Sequence, residues 1–445
     1  MFDWYCALRP GSHLASLLSA SACFTTRTMD DGELHPWSTW PTLHRGVYNW
    51  QHNIRFINQD LGCAHEYPPV WETLARQGFR VGVFGSLQSY PVPSQPSYCF
   101  YIPDTFARGD ETLPERYRCF QAINLRQTKA DGAEAQPISV DSGTLRNLAG
   151  LPFAGIRLHT AGRLAVQLAR EKANPLYRTR RSLLQAPVAF DVFMHAFGRF
   201  KPDFSTFFTN HVAGAMHRYW KYAFPEDFGT VLRGDEDTFR RETLVAAMDF
   251  ADEQVGALTQ TLASEQGVLI LATSMGQQAI ERGRYVGELR LADPGTLMKA
   301  VGFVSPWRDL LAMQPDFNFG FESEADAEEF LAIIRRMRSP SGEPLWMRIR
   351  RERATVNLGL SDLQEVIASG TFVLEASERS PARRMSLEET GFKVLARDPG
   401  TGYHQPLGSL AVWGPGIRAT AARSEIELAR VRELILNQFT EAPAN

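Results

Sequence analysis

Three segments of this sequence place imidazoles, hydroxyls and amides directly after short β-prone runs, where an α/β fold presents side chains to a ligand. They are PWSTWPTLHRGVYNWQHNI at residues 36–54, FSTFFTNHVAGAMHRYW at 204–220 and GYHQPLGSLAVWGPGI at 402–417. The first carries the hydroxyls Ser38, Thr39 and Thr42, and a threonine becomes a useful nucleophile only beside a base or a metal. Asn210, His211, His217 and His404 would supply three or four neutral ligands if they converge. Zinc accepts imidazole at about 2.0–2.1 Å, and catalytic sites usually take three protein ligands plus water. Each residue also has a plainer reading: His211 and His217 can satisfy buried backbone groups, and Thr39 can belong to a turn. Common alternatives are missing, because the chain has no GxSxG, GxxxxGK[ST] or HExxH.

The elements that must position these residues alternate. Residues 70–77 read as a helix stopped by Gly78, followed by a β-rich run over 79–84. Leu184, Val188, Val192 and Phe193 fall at helical spacing before the short aromatic run 204–208. A long helix opens near Asp237, a natural N-cap. Its apolar stripe runs through Leu244, Met248, Ala251, Val255, Leu258 and Leu262. VLILATS then follows as a nearly all-apolar strand, the pattern of strands covered on both faces. This alternation predicts a three-layer α/β/α sandwich with a mostly parallel central sheet. Ser86, Asn210 and Ser274 should then lie along its carboxyl edge.

Residues 317–374 are more charged, and 323–336 read as a helix with an acidic start and a basic end. We expect an inserted α+β subdomain over 316–380, a cap beside the site, within a core formed by 1–315 and 381–445. A strand over 409–413 returns to core texture. The last helix should open at Ser424 with Glu427 in capping-box spacing. Its buried face would be Ile426, Val431, Leu434, Ile435 and Phe439.

Size and composition narrow the class. At 445 residues the chain exceeds the ~250–300 that one core usually supports. Apolar residues make up 44% and charged residues 22%, and 28 phenylalanines promise an aromatic core. A net charge of −3 gives no basic field for nucleic acid or an anionic membrane. The cluster Arg178, Arg180 and Arg181 reads as a solvated face. Five cysteines without CxxC spacing indicate thiols in a reducing compartment. The first residues lack the pattern of a signal peptide, and no run approaches the ~20 apolar residues of a membrane span. We therefore expect a cytoplasmic protein without a membrane span; the oligomeric state is open.

Taken in order, with VLILATSMGQ between the second and third, the segments resemble the motif series of the alkaline-phosphatase superfamily, in its type I phosphodiesterase and nucleotide pyrophosphatase branch. Residues 36–54 resemble the nucleophile turn, with Gly46 and a "His–Gly–Ile"-like stretch at Gln51-His52-Asn53-Ile54. His217 matches the metal-binding histidine of the second motif. VLILATSMG resembles the strand ending in Ser-Asp-His-Gly. His404 and Gly414–Ile417 match Gly-x-His and Gly-Pro-Gly-Ile. The nearest likeness is to a divergent subgroup with His35-Pro36-Trp37 … Trp40 … His44-Arg45-Gly46 at the first motif.

The resemblance implies a hydrolase or transferase of phosphate, phosphodiester or sulfate esters, with an anionic small molecule as substrate. Thr39 would be nucleophile or positioner, with Thr42 as a substitute. Arg45 would clamp the anion, and Asn210 and Ser274 would contact substrate. His217 and His404 would be the matched metal ligands, and His211, a candidate from the residues alone, a third. The departures are equally informative. Ala213 stands where an Asp ligand is expected, and Ser274-Met275-Gly276 lacks both carboxylate and imidazole. The strand that normally carries the first acidic ligand has no counterpart before Met1-Phe2-Asp3. An in-frame upstream segment would supply it. These losses imply at most one divalent metal, zinc or manganese, and no bimetallic site. The alternative is a catalytically inactive pseudoenzyme that keeps the fold as a binding or scaffolding module.

Overall fold

Short apolar and aromatic runs pair into six small sheets in the computed structural model, which describes residues 1–132, 142–281, 287–312, 316–361, 363–378, 380–395 and 400–440. The first strands are β1 (Ala22–Arg27), β2 (Val81–Phe84), β3 (Tyr98–Ile102), β4 (Phe204–Phe207), β5 (Leu269–Ala272), β6 (Gly276–Ala279) and β7 (Glu288–Leu291). A middle group comprises β8 (Trp307–Leu310), β9 (Asp316–Phe321), β10 (Met337–Arg338), β11 (Trp346–Glu352), β12 (Thr355–Leu360), β13 (Thr371–Leu374) and β14 (Arg383–Ser386). The last are β15 (Phe392–Leu395), β16 (Gly402–Gln405), β17 (Leu407–Trp413) and β18 (Ser424–Glu427).

Two sheets carry the site. One has the order β3-β2-β4 and is parallel throughout, with Val83 opposite both Tyr101 and Thr206. The other has the order β18-β1-β17-β5. In it β1 runs parallel to β18 but antiparallel to β17, and β17 is antiparallel to β5. The expected mostly parallel sheet is therefore corrected. Among the described residues, parallel pairing is confined to β2 with its two neighbours and to β1 with β18. The reason lies in β17, which continues from β16 past Pro406 and so runs against β5 while β16 runs against β6. The register slips by one residue between Leu410↔Ala272 and Gln405↔Gly276. Pro406, which has no N–H to donate, falls in that slip. A bulge of this kind re-aims neighbouring side chains, and Ser274 lies opposite it.

Helices cover both faces of these two sheets. Under one face, Leu43, Trp71, Leu74, Val431 and Ile435 form a single cluster with Val81 and Val83 of β2 and Leu410 and Val412 of β17. One apolar layer thus underlies both sheets. On the other face, Phe190 and Phe193 pack on Phe84, Phe100 and Ile102, while Leu14, Leu17, Met248 and Val255 pack beside Leu269 and Leu271. The 32-residue helix Gly234–Glu265 runs across both of those clusters.

Local signals hold for much of this. Helix Val70–Arg76 ends before Gly78, whose φ of 91° is the left-handed conformation a glycine accepts without strain. Helix Glu324–Ile334 is capped by Ser323, whose hydroxyl accepts from the Asp326 N–H at 3.1 Å. Two boundaries differ. The long helix starts at Gly234, three residues before Asp237; the Asp237 carboxylate reaches back to the Arg233 N–H at 2.9 Å. Residues 424–427 form β18 instead of opening the last helix, which runs Arg430–Thr440. The open edge of β1 offers four paired positions there, Phe24↔Ser424 to Arg27↔Glu427, and an Arg27–Glu425 ion pair at 2.6 Å, more than a capping box provides.

A separate hydrophobic cluster gathers Leu297, Phe319, Phe330, Ile334, Leu358 and Phe372 among its fully buried members. It extends from Leu289 to Phe392, beyond the change in charge texture, and β7 pairs with β15 across its ends. Residues 362 and 379 of the expected insertion lie outside the described set. Among the described residues no helix is long and apolar enough to cross a membrane.

Candidate functional site

The first motif folds as helix Pro36–Arg45, with His35 extended at its N-cap and Pro36 at the first helical position. Gly46 ends it at φ 71°; a Cβ there would lie 2.9 Å from the Arg432 side chain. The opening turn is fastened to the end of β5. Thr39 Oγ1 donates to or accepts from Ser274 Oγ at 2.8 Å and lies 3.2 Å from the His35 carbonyl. Both hydroxyls are buried.

The second and fourth motifs meet beside them. His217, in helix His211–Ala223, donates Nδ1–H to the Gly402 carbonyl at 2.8 Å. His404, on β16, donates Nδ1–H to the Leu34 carbonyl at 2.7 Å. A carbonyl only accepts, so both Nδ1 atoms carry the proton, and in the neutral His404 ring Nε2 is the lone-pair nitrogen. The ring centroids stand 4.8 Å apart at 79°. His35 stacks on Trp37 at 4.4 Å and meets His404 edge-on at 6.3 Å. Burial, the neighbouring His217 and His35 hold the His404 imidazole down to about 3, against the opposing pull of the Leu34 carbonyl and Glu33.

Glu33 closes this group. It is hydrogen-bonded by Tyr403 and paired with Arg348, and its Oε2 lies 3.2 Å from His35 Nε2, off the line of a hydrogen bond. Burial pushes its carboxyl up, but the close approach of His35, the Tyr403 hydroxyl and the Arg348 charge outweigh it, giving about 2. Arg348 also pairs with buried Asp316, so the second cluster is tied to the rim through one guanidinium. Sequence spacing alone does not single out Glu33, Tyr403 or Arg348. Glu33 lies in an unremarkable acidic run and Arg348 in a charged strand, and neither carries a sequence signal for this position.

A cavity of about 1390 Å³ opens at this rim. Ser86, Asn210, Ser274, His217, His404 and Tyr403 border it. Asn210 is exposed at the N-cap of the helix that carries His217.

Three candidates are turned elsewhere. Thr42 donates to both oxygens of buried Asp30, at 2.8 and 2.9 Å, and lies 3.1 Å from His52 Nε2. His52 accepts the Ile54 N–H on Nδ1 at 3.0 Å, so its Nε2–H donates to Thr42, and burial keeps this ring neutral down to about 3. Thr42 is the middle of a structural relay. Arg45 donates to the carbonyls of Ala64 at 3.1 Å and Tyr67 at 2.5 Å, does not border the cavity, and is lowered by burial to about 10. It is no anion clamp in this arrangement. His211 accepts from Thr209 on Nδ1 at 2.7 Å and donates Nε2–H to the Ala247 carbonyl at 3.0 Å, and burial lowers it to about 4. With both nitrogens committed it cannot ligate a metal.

Among the described residues, no three His, Cys, Asp or Glu side chains come together in a way that could hold a metal ion. Two imidazoles whose Nδ1 atoms are spent on carbonyls do not fit a pair of dications. One ion held by these two rings would need a further ligand from outside this set.

No protein-family model and no curated protein matches this chain. Among solved structures, murine ectonucleotide pyrophosphatase/phosphodiesterase 5 aligns over 99% of this chain and 94% of its own, at 10% identity and a TM-score of 0.42. An inactive form of that murine protein in complex with AMP aligns equally. The human protein of the same name aligns over 97% and 91%, at 10% identity and a TM-score of 0.39.

Proposed function

We propose that this chain is a divergent protein of the alkaline-phosphatase superfamily whose rim site binds an anionic phosphate-, phosphodiester- or sulfate-type ester. The observation that carries this reading is the convergence of four motif segments, far apart in sequence, on one rim. His35 and Thr39 come from the first, His217 from the second, Ser274 from the third and His404 from the fourth. In this reading Asn210 and Ser274 contact the substrate and His404 stays a neutral imidazole. His217 and His404 hold one zinc or manganese ion completed by an added ligand, and that ion meets the ester oxygens, because the His404 Nε2 lone pair cannot donate to them. Thr39 positions Ser274. The core comprises residues 1–315 and 381–445 arranged as a three-layer sandwich, and the insertion acts as a cap through Arg348. A cytoplasmic setting fits the five unpaired cysteines.

A second reading, a binding module without turnover, is favoured by a specific observation. The Thr39 hydroxyl is buried and bonded to Ser274 and the His35 carbonyl, with no base among its described partners. Elemental analysis of purified protein, run beside aryl phosphate, phosphodiester and sulfate ester assays on the parent, His217→Ala and His404→Ala, separates the two. Turnover lost in both variants supports ester hydrolysis. Ester binding without turnover supports the module. Neither binding nor turnover contradicts both.

A further inference from the structure

The cavity below the rim has the form of a missing strand. β4 is the outer strand of its sheet and β5 the outer strand of the other, and their open edges face the same space. Every residue of both strands borders that one cavity. The flanking layers face it too. Met248, Ala251, Val255, Leu258 and Leu262 of helix Gly234–Glu265 border it from one side. Leu43, Val431, Ile435 and Phe439 border it from the other. The apolar stripe of the long helix, read from sequence as a core-facing face, thus lies along an open slot.

Unpaired N–H and C=O groups on two facing edges, between two apolar layers, suit an extended backbone that pairs on both sides. One added strand would join the two sheets into a single sheet of order β3-β2-β4-new-β5-β17-β1-β18. The common layer of Val81, Val83, Leu410 and Val412 over one set of helices already aligns the two halves for this. β4 and β5 are four residues each, so an extended segment of about four to six residues at ~3.3 Å per residue covers both edges. With both faces covered, the segment would be continuously apolar and β-branched, without proline.

The position of Met1 indicates the source. Met1 borders the cavity and packs in the clusters holding Val212, Met216 and Leu271, at the end where β4 and β5 finish. A strand running the same way as β4 would finish at Met1 and pass directly into helix Phe2–Leu8. We infer that the space between β4 and β5 is a strand slot, filled by an extended apolar segment joined to the amino side of Met1.

Two measurements test this. The intact mass and amino-terminal sequence of the protein isolated from its native source should show an apolar segment of at least about four residues before Met1; a mature terminus at Met1 overturns the inference. Amide exchange is then followed in the chain starting at Met1 and in one bearing a Lys-Val-Val-Leu-Ile-Val-Ser-Gly extension. In the first, the slot-facing amides of β4 and β5 should exchange at least 100-fold faster than those of β2 and β17. In the second they should slow at least 100-fold while the protein stays monomeric, and a proline at the central Leu of the extension should abolish the gain. Protection already present in the Met1-starting monomer, protection arising only in a dimer, or no response to the extension each overturns it.

Discussion

His404 sits in contact with His217 and His35 at the rim, and burial keeps it neutral to about pH 3. It therefore offers a lone pair to a ligand across the ordinary pH range. Three further rings are neutral for the same reason, His44 and His52 to about 3 and His211 to about 4. An unfolded histidine takes up its proton near pH 6.5. Below that pH the unfolded state binds more protons than the folded one, so stability falls on acidification. The slope is up to about 1.4 kcal/mol per pH unit for each ring until its folded pKa is reached. His44 is the clearest case, because neither ring nitrogen has a hydrogen-bond partner and it lies against Trp40 and Trp71. His44→Leu should stabilise the protein more at pH 5 than at pH 7.5 in chemical denaturation; an equal effect at both would contradict this.

Thr39 and Thr42 show what the sequence could and could not convey at this scale. Both are hydroxyls in one motif, yet one helical turn separates a bond to the rim from a bond to Asp30. Chain order carries no signal for which face of a buried helix meets β5. Thr42→Val should cost about 2 kcal/mol, since it withdraws a donor from a buried carboxylate, and leave ester affinity unchanged in calorimetric titration. A loss of affinity at unchanged stability would return Thr42 to the site.

At the scale of elements, periodicity located helices and strands wherever one face is buried, as in Val70–Arg76, β4, β5 and the stripe of Gly234–Glu265. It failed at residues 424–427, because strand pairing with β1 is a long-range choice invisible to local capping chemistry. The tie between the two clusters was equally hidden. Arg348 comes from β11, Glu33 from the loop before the first motif helix, and Asp316 from the start of β9. Removing the cation leaves a buried carboxylate unpaired, which typically costs 3–5 kcal/mol. Arg348→Met should therefore lower stability by about 3 kcal/mol and raise the Glu33 carboxyl above its present value of about 2, read by NMR titration. An unchanged Glu33 titration would mean that Arg348 is not its partner in solution.

For the whole molecule, the alternation of strands and helices correctly indicated an α/β chain. The expectation of parallel pairing failed at β17, whose direction is set by its continuity with β16. The split between β4 and β5 had no signature of its own, because each strand reads as an ordinary apolar run whether its neighbour is a strand or a slot. The rim at the end of that split carries the proposed function. A double-mutant cycle tests it most directly, with calorimetric titration of inorganic phosphate into the parent, His217→Ala, His404→Ala and the double variant, at matched pH with and without added zinc. Each single variant should lose at least tenfold in affinity. The double variant should be at least about 0.5 kcal/mol less impaired than the sum, as for residues in contact that share one ligand. Full additivity, or unchanged affinity in either single variant, would contradict this.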